Sequence, residues 1–454
     1  MNILVLNGSP AGNESITLHT VLYIRQHFPD HNWTILHVGR QIRKMESDPS
    51  AWEGPLKEAD LILFCYPVYT FLAPAQLHRF LDLVRESGID LQGKYATQVS
   101  TSKHFYDTTA HRFIRDACGD LGLKYIRGLS ADMEDLLNEQ GQKEALSFFR
   151  YVLWNMEKGF CEPETPKAAP AALTAADPAA EKLDVPAPAR VVIIADFSHS
   201  PEGRLQAMCE RLKNRLPCPA DIVDIGEFPF AGGCLGCFNC AADGTCVYKD
   251  GFDRYLRENI QTADALVYAY TIRDHSMGYR FKLFDDRQFC NGHRTVTMGK
   301  PVGYLVDGAL DREENLRTLM EARSEVGGNF LAGVACSQHD PDAEIDRLAE
   351  TLCFAVTEHY LPPKNFWGVG GLKIFRDLIW QMQGLMREDH RFYKKHGFYD
   401  FPQKRRGRMM AMYLVGGMMR SPKLKKKMGG RLTEGMIGPY RKVLEKGNAG
   451  EERE

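Results

Sequence analysis

Four cysteines fall within thirteen positions, Cys234-Leu-Gly-Cys237-Phe-Asn-Cys240-Ala-Ala-Asp-Gly-Thr-Cys246. A C-x2-C-x2-C run brings three sulfurs to one small locus, and Gly236 and Gly244 allow the turns, so four thiolates from one short segment can wrap an iron–sulfur cluster. Zinc more often takes two separated pairs, and the same thiols can also act without metal, through a disulfide. A second chemistry-bearing segment is Asn7-Gly8-Ser9-Pro10-Ala11-Gly12-Asn13-Glu14-Ser15-Ile16-Thr17. Its small hydroxyl and amide residues run into a helix, where backbone N–H groups and the positive helix end can take a phosphate. A capped polar turn would use the same residue types. A third segment, Tyr66-Pro67-Val68-Tyr69-Thr70-Phe71, can stack on a planar ring, or simply pack a strand against a helix. A fourth, Ser100 to Asp107, is polar and aromatic.

These segments need a scaffold that brings them to one side. The first half reads as strands near 2–7, 33–37, 60–66, 95–101 and 124–130, with helices near 15–27, 73–86, 108–121 and 141–157. The second half repeats the alternation, with strands near 190–196, 220–224, 264–270, 300–306 and 329–335. Five strands in βα alternation predict, for each half, a flavodoxin-like doubly wound five-stranded parallel sheet, an α/β architecture whose ligands bind outside the strand carboxyl ends. All four segments then lie at such ends or beside them.

The halves also resemble each other. Ala59-Asp60 and Ala263-Asp264 open stretches of equal length that close on Asp82 and Asp286. Between them Glu162 to Ala189 holds sixteen Ala or Pro in twenty-eight residues, which reads as an extended, semi-stiff linker. The expected domains are therefore 1–160, a linker 161–189, a cysteine-bearing domain 190–360 and a basic helical C-terminal extension 361–454.

The 454 residues are 44% hydrophobic and 26% charged, the balance of a globular protein with a sizeable core. The net charge of −2 excludes a nucleic-acid-like charge excess. It conceals a polarity: from Leu361 onward there are 21 Lys or Arg against 9 Asp or Glu, so the first 360 residues carry −14. The start has no signal-peptide pattern, and the apolar run Met409 to Met419 is too short to cross a bilayer, so the chain reads as cytoplasmic, where thiols stay reduced.

NGSP with Asn13, Ser15 and Thr17, followed by Pro67-x-Tyr69 and a helix ending in Asp82, resembles the NADPH-dependent FMN reductases of the flavodoxin-like superfamily. The cysteine run followed by Val247-Tyr248-Lys249-Asp250 resembles their iron–sulfur flavoprotein branch. The resemblance implies FMN phosphate contacts from Ser9, Asn13, Ser15 and Thr17, and ring contacts from Pro67, Val68, Tyr69, Thr70 and Phe71. Ser100, Thr101 and His104 join them by position. It further implies a 4Fe-4S cluster on Cys234, Cys237, Cys240 and Cys246, and NAD(P)H as electron donor, stacking directly on the flavin. In that family a cluster on one subunit lies near the FMN of another, so a tandem duplication can pair an FMN of the first half with the cysteines of the second.

The second half departs from the family at Asp196-Phe197-Ser198-His199-Ser200-Pro201-Glu202-Gly203-Arg204, where acidic residues stand in place of NGS, and at Tyr270-Thr271-Ile272-Arg273, which lacks PxY. Phosphate binding there would need Arg204 or Arg273 to offset the acids. The expected function is an NAD(P)H-dependent reductase of a flavin, quinone or other small electrophile. The alternative is an electron-transfer flavoprotein that docks a partner, with an acidic redox protein or a membrane face at the basic tail. Gly368-Val-Gly370-Gly371 completes no dinucleotide fingerprint, and His19, His111 and His390 read as ordinary polar residues. The sequence leaves the catalytic residues and homo-oligomer formation open.

Overall fold

The computed structural model describes residues 1–163, 171–200, 202–404 and 406–423. They form two compact units, Met1–Lys395 and a second beginning at His396.

The first unit opens with β1 (Asn2–Asn7), α1 (Ile16–His27), β2 (Asn32–Leu36), α2 (Val38–Ser47), α3 (Ser50–Glu58), β3 (Leu61–Pro67), α4 (Ala75–Ser87), β4 (Tyr95–Ser102), α5 (Asp107–Asp120), β5 (Lys124–Tyr125), β6 (Leu129–Asp132) and α6 (Glu139–Lys158). It continues with β7 (Val191–Ala195), α7 (Arg204–Arg215), β8 (Ala220–Asp224), α8 (Asn239–Asp243), α9 (Phe252–Tyr255), β9 (Ala265–Thr271), α10 (Gly278–Arg287), β10 (Pro301–Asp307), α11 (Glu314–Gly327), β11 (Phe330–Cys336) and α12 (Pro341–Thr357). Two further helices, α13 (Phe366–Gln381) and α14 (Arg387–Lys395), close the unit.

Both sheets are parallel and share one order, β2-β1-β3-β4-β5 in the first half and β8-β7-β9-β10-β11 in the second. The central strands are near-continuous apolar runs because each is covered on both faces. Alternation along β1 sends Ile3 and Val5 to an outer core with α1 and α6, and Leu4 and Leu6 to an inner one. In β7, Val191 and Ile193 face outward while Val192 and Ile194 join that same inner core. The inner faces of the two sheets therefore share one continuous apolar core, bridged by Leu77 and Phe80 of α4, Phe113 of α5, Phe281 and Phe284 of α10 and Leu316 of α11.

Three differences from the sequence reading stand out. Residues 38–58 carry two helices where a connection was expected; Met45, Trp52 and Leu56 bury them, although Gly39, Gly54 and Pro55 mask the periodicity. The last strand of the first sheet is split into β5 and β6, both paired to β4. Gly128, between them, lies so close to Gln98 that a Cβ would come within 2.5 Å of its carbonyl oxygen. Finally, the described part of the linker, 171–189, lies along the second half rather than free of it. Thr174 N–H donates to Ser337 O at 2.7 Å, Arg211 donates to the carbonyls of Asp177 and Ala179, and Ala176 is buried.

Candidate functional site

The sheet order reverses direction between β1 and β3, so the loops after these strands splay apart and open a crevice. In the first loop Asn7 is fully buried: its Nδ2 donates to Gly12 O at 2.9 Å and its Oδ1 accepts from Ser9 N–H at 3.1 Å. Ser15 caps α1 by accepting Leu18 N–H at 3.3 Å. The hydroxyls of Thr17 and Thr101 meet at 2.6 Å beneath it, tying the loop to β4. The result is a hydroxyl-lined N-terminus of a twelve-residue helix facing the crevice.

The loop after β3 folds back on itself, Tyr69 and Leu72 exchanging two backbone hydrogen bonds of 2.8 and 3.0 Å. That turn forces Thr70 (φ 42°) and Phe71 (φ 71°) into the left-handed region, which non-glycine residues hold only where surroundings compel it. Some of the restraint is local: Thr109 Oγ1 donates to Phe71 O at 2.6 Å. The rest comes from α10 of the second half. Lys282 Nζ donates to Tyr69 O at 2.8 Å, Asp286 accepts from Thr70 Oγ1 at 2.6 Å and from Ala75 N–H at 2.8 Å, and Lys282 and Asp286 pair with each other, both wholly buried. Burial pushes the Asp286 carboxyl up, opposed by the adjacent Lys282 ammonium.

These loops and the cysteine segment line one cavity of about 470 Å³, within the range of cofactor-sized sites. Of the residues singled out by sequence, Ser9, Ser15, Thr17, Pro67, Val68, Tyr69, Thr70, Phe71 and Thr101 are on its wall, as are Cys234, Cys237, Cys240 and Cys246. Asn13, Ser100 and His104 are not. Asn13 is exposed on the short turn before α1. Ser100 turns inside to His111 Nε2 at 2.8 Å, and His104 pairs with Asp107 at 2.8 Å. An anion fits the hydroxyl end of the cavity, and a planar ring fits the aromatic loop.

The cysteines face this cavity as thiols. Cys240 Sγ donates to Phe289 O at 2.8 Å, and Gly236 N–H reaches Cys234 Sγ at 3.5 Å. Burial pushes the Cys234 thiol far up and the Cys240 thiol up to about 11. Cys237 is exposed. Among the described residues no three His, Cys, Asp or Glu side chains gather into a group that could hold a metal ion. The arrangement therefore does not support the four-iron cluster that the resemblance implied; the Cys240 sulfur, for one, is directed to Phe289. The segment instead packs against the aromatic loop. Gly236 (φ 63°) sits so near Tyr69 that a Cβ would fall 2.0 Å from its hydroxyl, and Gln76 Nε2 reaches Cys234 O at 3.4 Å.

The second half repeats the first-half turn in backbone only. Arg273 and Ser276 exchange bonds of 2.9 and 2.8 Å, and Asp274 (φ 54°) and His275 (φ 58°) are left-handed, at the same places relative to β9. Its phosphate loop is closed by its own side chains: Arg204, the first residue of α7, donates to Asp307 at 2.9 Å and also pairs with Glu202. Arg273 lies 3.2 Å from His199 Nδ1. Arg204 is thus already paired with two carboxylates, one of them Glu202 of that loop, and Arg273 is held beside His199.

Sequence reasoning missed the far wall, Gln288 to Thr297, which follows α10 and carries Cys290, His293 and Arg294. Cys290 is a fifth cysteine on the cavity, its thiol pushed up to about 12 by burial. The cluster Cys-Asn-Gly-His-Arg at 290–294 was the available signal. The C-terminal residues also contribute. His293 Nδ1 meets buried Asp389 of α14 at 3.1 Å, Phe375 of α13 packs on Phe105 with ring centres 4.2 Å apart, and Tyr106 donates to Trp367 O at 2.8 Å. The segment expected as a single extension from 361 is thus divided, its first part walling the cavity within Met1–Lys395.

With this geometry in hand, residues 1–145 match the family described as Flavodoxin-like fold. A comparison with curated proteins finds no match. Among solved structures, an NADPH-quinone reductase from P. pentosaceus is 18% identical, with 33% of this chain and 97% of that one covered and a TM-score of 0.28. An FMN-dependent NADH-azoreductase from Bacillus anthracis, in complex with FMN, is 13% identical over 34% of this chain and 99% of that one, with a TM-score of 0.29. An NAD(P)H:quinone oxidoreductase from Methanothermobacter marburgensis is 14% identical over 34% and 94%, with a TM-score of 0.26. Each is a likeness over about a third of this chain.

Proposed function

We propose that the chain is a flavin-dependent oxidoreductase that holds one FMN between its two halves. The observation that carries this is the single cavity on which the hydroxyl loop, the aromatic loop and the cysteine segment meet. The FMN phosphate is assigned to Ser9, Ser15, Thr17 and the N-terminus of α1, and the isoalloxazine ring to Pro67 through Phe71. Bound there, FMN supplies hydride or one-electron chemistry, which is why no nucleophile or acid–base pair is required of the protein. The chain's own part is to fix the ring loop through Lys282 and Asp286 and to line the cavity with Phe105, Phe289 and the buried thiols, which keep water from it. NAD(P)H is the proposed donor, and a quinone, flavin or similar small electrophile the acceptor.

We read the halves as a fused pair in which only the first retains a flavin site, a reading supported by the shared strand order and by the Arg204–Asp307 pair. The cysteines fit no cluster as arranged, and no electron step is assigned to them.

The test is anaerobic reconstitution with FMN, followed by NAD(P)H addition. One flavin per chain that bleaches on NAD(P)H supports a reductase; a bound flavin that does not bleach points to an electron carrier. Two flavins per chain overturn the one-site reading. Thr17→Val with Ser15→Ala removes the α1 cap and the Thr17–Thr101 hydrogen bond along with the phosphate contacts, so it should weaken FMN about tenfold more than it weakens riboflavin, which lacks the phosphate.

A further inference from the structure

The unit that begins at His396 contains α15 (Arg406–Met419), whose residues from Met409 on form no polar face. From Met409 to Met419 there is no charged residue, and Met409, Met410, Met412, Tyr413, Leu414 and Met418 point around the whole circumference at 100° per residue. These six are 42% to 74% exposed. A helix apolar all round is normally buried in a core or in a membrane, so this one calls for a medium that surrounds it. Its flanks say what kind. Between Asp400 and Glu434 the sequence has ten Lys or Arg and no Asp or Glu, with Arg406 and Arg420 bracketing the apolar run.

We propose that this segment is an interfacial anchor for an anionic lipid bilayer, α15 lying in the headgroup–acyl boundary with its basic flanks on the lipid phosphates. The physical grounds are the pairing of apolar bulk and uninterrupted positive charge. A second copy would bring ten like charges against ten. Nucleic acid would satisfy the charge and leave methionine and leucine in water. An acidic protein groove would match the charge but would have to close over methionine and leucine on every side of the helix to cover them. At fourteen residues α15 is about 21 Å long, short of a hydrocarbon core of about 30 Å, and no helix among the described residues is long and apolar enough to cross a membrane, so the helix lies on the surface.

The experiment is flotation of the full chain with phosphatidylcholine vesicles, with and without about 30% phosphatidylserine, at low and high salt. Association should need the anionic lipid and should weaken at least about tenfold at high salt. Met410→Asp with Leu414→Asp should abolish it while leaving elution volume and far-UV spectrum unchanged. Tyr413→Trp should show a blue-shifted emission, quenched by brominated acyl chains, only with anionic vesicles. Absence of flotation by the wild-type chain, equal flotation of the aspartate variant, or an unshifted emission from the Tyr413→Trp variant overturns the proposal. Binding confined to nucleic acid or to an acidic protein overturns it as well.

Discussion

Thr70, in the left-handed turn after the third strand of the first half, donates its hydroxyl to Asp286 of the second half at 2.6 Å, across 216 residues of sequence. One carboxylate thereby joins three things: the ring loop, the start of α4 through Ala75 N–H, and buried Lys282. The loop assigned to the flavin in the first half is thus shaped by a side chain of the second half.

Asp286→Ala leaves the Lys282 ammonium buried without its partner and frees the Thr70 turn. The expected loss is about 3–5 kcal/mol in urea unfolding, because an uncompensated buried charge is left behind. Lys282→Met with Asp286→Leu should recover part of that stability, yet still bind FMN at least about tenfold more weakly. Recovery of stability together with full flavin affinity would show that the pair does not position the loop.

Gly236→Ala should separate the cysteine segment from the ring loop. Its φ of 63° disfavours a side chain, and the new methyl would lie 2.0 Å from the Tyr69 hydroxyl. We expect a fall of about 1 kcal/mol or more in stability and a lowered flavin-to-protein absorbance ratio. An unchanged ratio would place the flavin away from Tyr69.

Asp82 faces Asp274 across the seam between the halves, with Arg85 and Arg273 also near it. Burial and then the Asp274 carboxyl push Asp82 up to about 8. The folded chain thus keeps a proton that the unfolded chain releases near pH 4. This contribution is fully present below about pH 4 and disappears as pH rises through about 8, with a slope of at most about 1.4 kcal/mol per pH unit. Asp82→Asn should flatten that part of a stability profile. A wild-type profile in which stability rises steadily from pH 4 to 8, unaltered by the substitution, would contradict the raised Asp82 carboxyl.

Alkylation should read the cysteines individually. Among the cysteines of the cavity, exposed Cys237 should react first with iodoacetamide at neutral pH, whereas Cys234, Cys240 and Cys290, whose burial disfavours the thiolate, should lag. Equal protection of Cys234, Cys237, Cys240 and Cys246, released together by an iron chelator, would restore the cluster that the present arrangement does not support.

The parallel α/β fold of both halves and the hydroxyl and aromatic loops were legible because they depend on local pattern. Apolar runs such as Leu61 to Tyr66 mark buried parallel strands, and hydroxyl-rich turns mark a strand passing into a helix. What escaped was whatever depends on distant packing. Residues 38–58 hide two helices behind Gly and Pro, Ser100 near the end of β4 turns inside to His111, and His104 in the loop beyond pairs with Asp107, neither of them lining the cavity. The cysteine spacing specified a segment able to bring sulfurs together, but the direction of the Cys240 sulfur is set by Phe289, which the spacing does not contain.

By itself, then, the sequence determined two parallel α/β sheets, three loops with the chemistry for an anion and a ring, and a basic end distinct from an acidic body. Only the tertiary structure decided that these loops and the cysteines share one cavity, that Lys282 and Asp286 reach across to hold the first half's turn, and that Gln288 to Thr297 and α13 close the wall. The physical reason is that hydrophobic periodicity fixes which face of each element is buried, whereas the partner buried against it is chosen by the whole inner core packing at once.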